Sequence, residues 1–139
     1  MIPAVSADPQ VVQSIRFVAV VRLAYGVVAI LAPRVWPRIF QLDPDNADAR
    51  MWNGFLGSRD IALGLHSLAV ANDPSRHVDV ILLNEACEVG DTILNAQEVR
   101  HGRSPKSFAS IAAFVFNAGM HAIWIRVLLL RRSESAHRP

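Results

Sequence analysis

Residues 107–125, SFASIAAFVFNAGMHAIWI, contain no Asp, Glu, Lys or Arg. A helix of that length rises about 28 Å, close to the hydrocarbon thickness of a bilayer. The polar groups in the run are Ser107, Ser110, Asn117 and His121. A helix on the surface of a soluble bundle needs a solvated face, and these four residues do not supply one. The run therefore favours a membrane-spanning helix over a soluble bundle.

Composition agrees. Of the 139 residues, 52% are apolar and 19% charged, against about 45–50% and about 25% in average soluble domains. Mean hydropathy is positive, at +0.27. The length fits one domain. The net charge of +2 is small, and the basic residues are scattered without aromatic interleaving, so nucleic acid is not an expected partner. A lone cysteine, Cys87, excludes an intrachain disulfide and a Cys-rich zinc site. The opening MIPAVSADPQ lacks the basic start of a signal peptide, so the hydrophobic segments are expected to be retained.

Punctuation by Pro, Gly, Asn and Asp divides the chain into four helical segments, at about 9–32, 50–71, 75–99 and 106–131. A polar tail, 132–139, is expected to be disordered. Pro33 and Pro37 are expected to keep 33–40 out of regular helix. The fold class expected is all-α, a single-domain antiparallel four-helix transmembrane bundle. Only the fourth supplies a span-length run free of charge, Ser107 to Ile125. The first carries Arg22, the second Arg59 and Asp60, and the third Glu85, Glu88, Asp91 and Glu98. Four spans place both termini on one side. Basic residues divide almost evenly between the two sides, so they do not set an orientation. Trp36, Trp52 and Trp124 fall near segment ends and are expected to be interface anchors. His77, His101 and His137 are expected to be solvated.

On the third segment Asn84, Glu88, Asp91 and Asn95 are spaced four, three and four apart, a continuous polar stripe with Glu85 and Thr92 on its flank. Leu82, Leu83, Ala86, Val89, Ile93 and Ala96 lie opposite. Hydrocarbon cannot solvate a carboxylate, so in a bilayer the stripe must face the bundle interior. The second segment offers Asn53, Gly57, Asp60, Gly64 and Ser67 on a small and polar face suited to close helix approach. Arg59 and His66 lie on the neighbouring face. The first segment adds Arg22, followed by Tyr25 and Gly26. The fourth adds Asn117 and His121. Adjacent Arg59 and Asp60 point about 100° apart and so should meet different helices, Asp60 facing Arg22 or the third segment and Arg59 facing Glu88 or Asp91. Two arginines then face at least three acids. At least one of Glu88 and Asp91 is expected to be neutralised by a proton, a charged histidine, a cation or water.

The same residues admit sharper uses. Glu88, Asp91, His66 and His121 are suitable ligands for iron, manganese or zinc. The sequence lacks His-x-x-x-His and Glu-x-x-His spacing, however, and no metal is expected. A quinone, a lipophilic substrate or a proton path along the stripe is an alternative to a purely structural network. Cys87 sits off the acidic stripe beside apolar residues and is expected to be inert. No phosphate-binding glycine loop and no nucleophile elbow is present.

The segments GFLGSRDIALGL, residues 54–65, and EVGDTILNAQEVRHG, residues 88–102, resemble a family of small bacterial four-helix integral membrane proteins grouped under a domain of unknown function. Its second helix has a Gly-x-Arg-Asp-x-x-x-Gly core, matched by Gly57, Arg59, Asp60 and Gly64, and its third helix has a central Asp, matched by Asp91. More loosely the chain is similar to DoxX-like membrane proteins, whose members are linked to thiosulfate or quinone redox complexes. The resemblance implies residence in the bacterial cytoplasmic membrane. It transfers no activity. The third segment is more acidic than the family pattern. The expected role is that of an accessory or interaction subunit, not an enzyme, with the bilayer and either a membrane protein or a second copy as partners and no cofactor. The alternatives are a redox or lipophilic-substrate enzyme and a proton or small-ion conduit.

Overall fold

A computed structural model describes residues 8–40, 42–101 and 108–136. The described residues are almost entirely helical and include no strand. The helices are α1 (Pro9–Leu31), α2 (Val35–Ile39), α3 (Ala47–Val70), α4 (His77–Arg100) and α5 (Phe108–Ala136).

Local chemistry sets the boundaries. The Asp8 carboxylate accepts from the Gln10 amide at 2.7 Å, and Pro9 occupies the first helical position, where no N–H is needed. The Asn46 side chain accepts from the Ala49 amide at 3.0 Å and caps α3. Asp73 accepts from both the amide and the hydroxyl of Ser75, closing a 3-10 turn, Pro74–Arg76, that leads into α4.

Two boundaries differ from those expected. Residues 35–39 do form a short helix. Pro37 is its third residue, within the first turn, where a missing N–H costs no intrahelical bond. The Trp36 indole donates to the Tyr25 carbonyl at 3.1 Å and stacks on the Tyr25 ring, which holds α2 against α1. At the other end α5 runs to Ala136, five residues into the stretch read as a tail. Residues 137–139, with His137, lie outside the described residues, as does the 102–107 connection.

The long helices run up, down, up, down as two antiparallel pairs. α1 and α3 pack most intimately, and α4 packs on α5. The α1–α3 seam depends on absent side chains. A Cβ on Gly26 would come within 2.5 Å of the Gly57 carbonyl oxygen, and one on Gly64 within 2.9 Å of the Ala19 carbonyl oxygen. Gly57 and Gly64 thus do what the small face of the second segment implied. Gly54 has nothing within 4 Å of its Cβ position and takes no part.

The interior is layered along the bundle axis. Val11, Ile15 and Val18 of α1 meet Val80 and Ile81 of α4 and Met120, Trp124 and Val127 of α5 in an apolar plug, with Val70 and Ala71 at the end of α3. Trp124 is therefore a core residue, fully buried, and not an interface anchor. Trp52 is 62% exposed. His77, expected to be solvated, is also buried. Its Nε2 lies 2.8 Å from the Ala71 carbonyl, to which it donates. Because α4 begins at His77 immediately after the tight Pro74 turn, the ring folds back beneath the end of α3. His101 is exposed.

Beyond the plug the interior turns polar. Past Glu88 no described side chain of α4 is buried, and none of α5 is before Asn117. The bundle is thus sealed at the end that holds the start of α1 and looser at the opposite end.

Candidate functional site

The acidic face of α4 organises the polar layer. Glu85, Glu88 and Asp91 are three residues apart, so successive carboxylates step about 60° around the helix. Each meets a basic side chain from a different helix. Glu88 accepts from Arg22 Nη2 of α1. Asp91 takes a bidentate grip from Arg59 of α3, at 2.7 and 2.9 Å. Glu85 Oε2 lies 2.7 Å from His121 Nδ1 of α5. Arg22 also donates through Nη1 to Asp60, and Arg59 Nη2 reaches the same Asp60 oxygen at 3.4 Å.

Burial ranks these groups. Arg22, Asp60 and Glu88 are buried, whereas Arg59, Asp91, Glu85 and His121 are each roughly a quarter exposed. Two guanidiniums serve three carboxylates, Asp60, Glu88 and Asp91, leaving that group with one formal negative charge in excess. Every one of the three nonetheless has a cationic partner, so neither Glu88 nor Asp91 stands unpaired. Arg22 Nε and Arg59 Nε are buried without a partner among the described residues, as are Asn53 Nδ2, Asn84 Oδ1 and Glu85 Oε1. Each can take a further hydrogen bond from water or a polar ligand.

Around this centre, the Asn84 amide is fully buried and donates to the Val80 carbonyl at 2.8 Å and to Ser67 Oγ at 3.4 Å. Tyr25 donates its hydroxyl to Asn53 Oδ1 at 3.1 Å. Asn117 is buried and donates to Thr92 Oγ1 at 3.3 Å, and Thr92 Oγ1 lies 3.4 Å from His121 Nε2. One set of proton positions satisfies this last chain. Asn117 donates to Thr92, the Thr92 hydroxyl to His121 Nε2, and His121 Nδ1–H to Glu85. A carboxylate that orients an imidazole whose other nitrogen faces a hydroxyl is a general-base arrangement.

Of the residues singled out from sequence, Arg22, Arg59, Asp60, Glu88 and Asp91 converge in one network. Asn84 sits beside it, and Asn117 and His121 form a second branch. His66 and Asn95 are half-buried and make no hydrogen bond or ion pair among the described residues, so the structure brings neither into the site. Glu85 and Thr92 were placed only on the flank of the stripe. Their seven-residue separation, which puts them on one face of α4 toward Asn117 and His121, was the available signal. Cys87 is a free, half-buried thiol. Among the described residues no three His, Cys, Asp or Glu side chains are placed to hold a metal ion.

The fold and the site define a class, an all-helical bundle with a charged interior. Two of its helices, α1 over Pro9–Leu31 and α5 over Ile111–Leu130, are long and apolar enough to cross a membrane. No known protein family matches the chain, and no curated protein or solved structure is significantly similar to it.

Proposed function

We propose that the chain is an integral membrane protein of four antiparallel spans, resident in the bacterial cytoplasmic membrane. It acts as an accessory or interaction subunit whose charged interior holds its helices in register. One observation carries the membrane reading: all four long helices turn large apolar side chains outward, and three of them bury charge. Phe17 on α1, Phe55 on α3, Leu82 on α4 and Val115 on α5 are each more than half exposed, while Arg22, Asp60 and Glu88 are buried. Only 33% and 22% of the two most apolar windows are buried within the bundle, the reverse of a core helix in a soluble protein. Soluble monomers rarely carry apolar patches beyond a few hundred Å². The four-helix proteins that residues 54–65 resemble agree with this reading.

The accessory role rests on the cross-helix pairing within the network. Arginine and acid are paired across helices, as register-setting groups are. A conduit is disfavoured because the plug around Ile15, Ile81 and Trp124 closes one end. An enzyme acting on a lipophilic carbonyl or ester substrate is a second reading, favoured by the Thr92–His121–Glu85 chain, which is partly accessible.

Glu88→Gln and His121→Gln separate these readings. In an accessory protein both variants integrate into membranes and lose only stability. In an enzyme, His121→Gln keeps the fold and abolishes turnover of lipophilic esters by the purified protein in detergent. Release of the wild-type chain from membranes by alkaline carbonate contradicts the membrane reading itself.

A further inference from the structure

Between α1 and α5, at the sealed end of the bundle, lies a groove of about 490 Å³ lined by Gln10, Gln13, Ser14, Phe17, Ile123 and Arg126. We infer that this groove binds the headgroup of an anionic phospholipid, with the phosphodiester on Arg126 and an acyl chain along Phe17 and Ile123. The site rests on the four-span membrane reading given above.

Three features converge on this ligand. The first is depth. Arg126 lies four residues from the end of the Ile111–Leu130 span, about 6 Å along the helix. From there its long side chain reaches the headgroup layer while its stem stays in hydrocarbon. Gln10 and Gln13, in the first turns of α1, stand at the same end.

The second is a polarity gradient along the groove. The exposed side-chain amides of Gln10 and Gln13 and the Arg126 guanidinium mark its outer part. Phe17, 58% exposed, lies further along α1, toward the middle of the span, with Val20, 57% exposed, one turn deeper. A phospholipid has the same order, charge outside and chain inside. Ser14 adds an acceptor and no free donor, because its hydroxyl already donates to the Gln10 carbonyl.

The third is charge. Arg126 has no carboxylate or other hydrogen-bond partner among the described residues, unlike the interior arginines. Arg16, a turn from Gln13, does not line the groove and gives one nitrogen to the neutral Asn72 amide oxygen, at 3.1 Å. Asp8, the acid nearest Gln10 in sequence, is occupied in capping α1. The positive charge of Arg126 selects an anionic lipid over a zwitterionic one, whose ammonium that guanidinium would repel.

The test uses the full chain purified in detergent and placed in nanodiscs of mixed phosphatidylglycerol and phosphatidylcholine. Lipids retained on release are counted by native mass spectrometry. Wild type should keep phosphatidylglycerol over phosphatidylcholine by about fivefold, the size expected for one guanidinium at an anionic surface. Arg126→Gln should bring the ratio close to one, and Arg126→Lys should keep part of it. Arg34→Gln, which touches only the exposed Asp45 pair at the other end, should leave it unchanged. Equal retention by wild type, or an undiminished preference in Arg126→Gln, overturns the site. A chain that integrates into nanodiscs without lipid preference removes the lipid site alone. A chain that stays dissolved without detergent removes the membrane reading, and the site falls with it.

Discussion

Arg22 and Glu88 are 66 residues apart in sequence and ion-paired in the bundle interior, although the backbones of α1 and α4 do not pack closely. The long arginine side chain spans the gap. Its other terminal nitrogen holds Asp60 of α3, so one guanidinium ties three helices together. The α1–α3 pair is closed by glycine contacts. In the polar layer its attachment to α4 runs through Arg22 and Arg59 reaching the acids of that helix, beyond the apolar plug that joins them at the other end.

Removing Arg22 should therefore be far worse than removing the pair. Arg22→Met strands Glu88 and weakens the hold on Asp60, and breaking a buried ion pair from one side costs about 3–5 kcal/mol. Arg22→Met combined with Glu88→Met leaves Asp60 to Arg59 and should recover much of the loss. Thermal unfolding in detergent, followed by circular dichroism, should rank wild type first, the double variant second and the single variant last. A double variant less stable than the single one would contradict this.

Among the glycines the expected effects have opposite signs. Gly26→Ala drives a methyl into the Gly57 carbonyl, where backbone and not a flexible tip stands in the way. It should destabilise by about 1–3 kcal/mol as the helices are pushed apart. Gly54→Ala meets nothing within 4 Å and should be neutral or stabilising by up to about 1 kcal/mol through helix propensity. Paired unfolding curves decide the matter.

His77→Phe keeps the volume under the end of α3 and removes the donor to the Ala71 carbonyl. Leaving that acceptor unmatched should cost about 1–3 kcal/mol. Loss of hydrogen-exchange protection should be greatest at the α3–α4 turn. Unchanged protection there would show the ring to be only packed, not bonded.

Asp73 lies in that same exposed turn. The Ser75 hydroxyl and amide, both donating to its carboxylate, hold its pKa below the ordinary aspartate value. A depressed folded-state pKa contributes stability above the unfolded value of about 3.9, and that contribution is lost as pH falls through the lower folded value. Asp73→Ala should unfold at a lower temperature than wild type at neutral pH, and the gap should narrow below about pH 4. A gap that widens on acidification would reverse the sign.

Much of this arrangement could be read from spacing. The stripe at 84, 88, 91 and 95 placed Glu88 and Asp91 inward, and the 100° offset of Arg59 from Asp60 left Asp60 to Arg22 or the third segment and Arg59 to Glu88 or Asp91; the structure pairs Asp60 with Arg22 and Arg59 with Asp91, with Arg59 also reaching Asp60. Periodicity fails where side-chain reach or a turn decides. His77 looked like a loop residue because the Pro74 turn that folds it back is a three-dimensional fact. Trp124 looked like an anchor because a position near a helix end does not reveal the plug that surrounds it. His66 shares a face with Arg59, yet at its level α4 offers Asn84, which meets the neighbouring Ser67 instead. The short α2 was hidden because Pro37 read as a breaker, while in a first turn it is harmless.

The central claim is that apolar side chains face lipid on all four long helices while the charge of α1, α3 and α4 meets in the interior. Single cysteines placed by Leu82→Cys and Ile93→Cys on the outer face of α4, and by Asn72→Cys in the α3–α4 turn, in a Cys87→Ser background, test it directly. Intact and permeabilised membranes are treated with a water-soluble maleimide. The turn position should label in at least one of the two preparations, and positions 82 and 93 in neither. Labelling of positions 82 and 93 at the rate of position 72 would place the outer face of α4 in water and contradict the account.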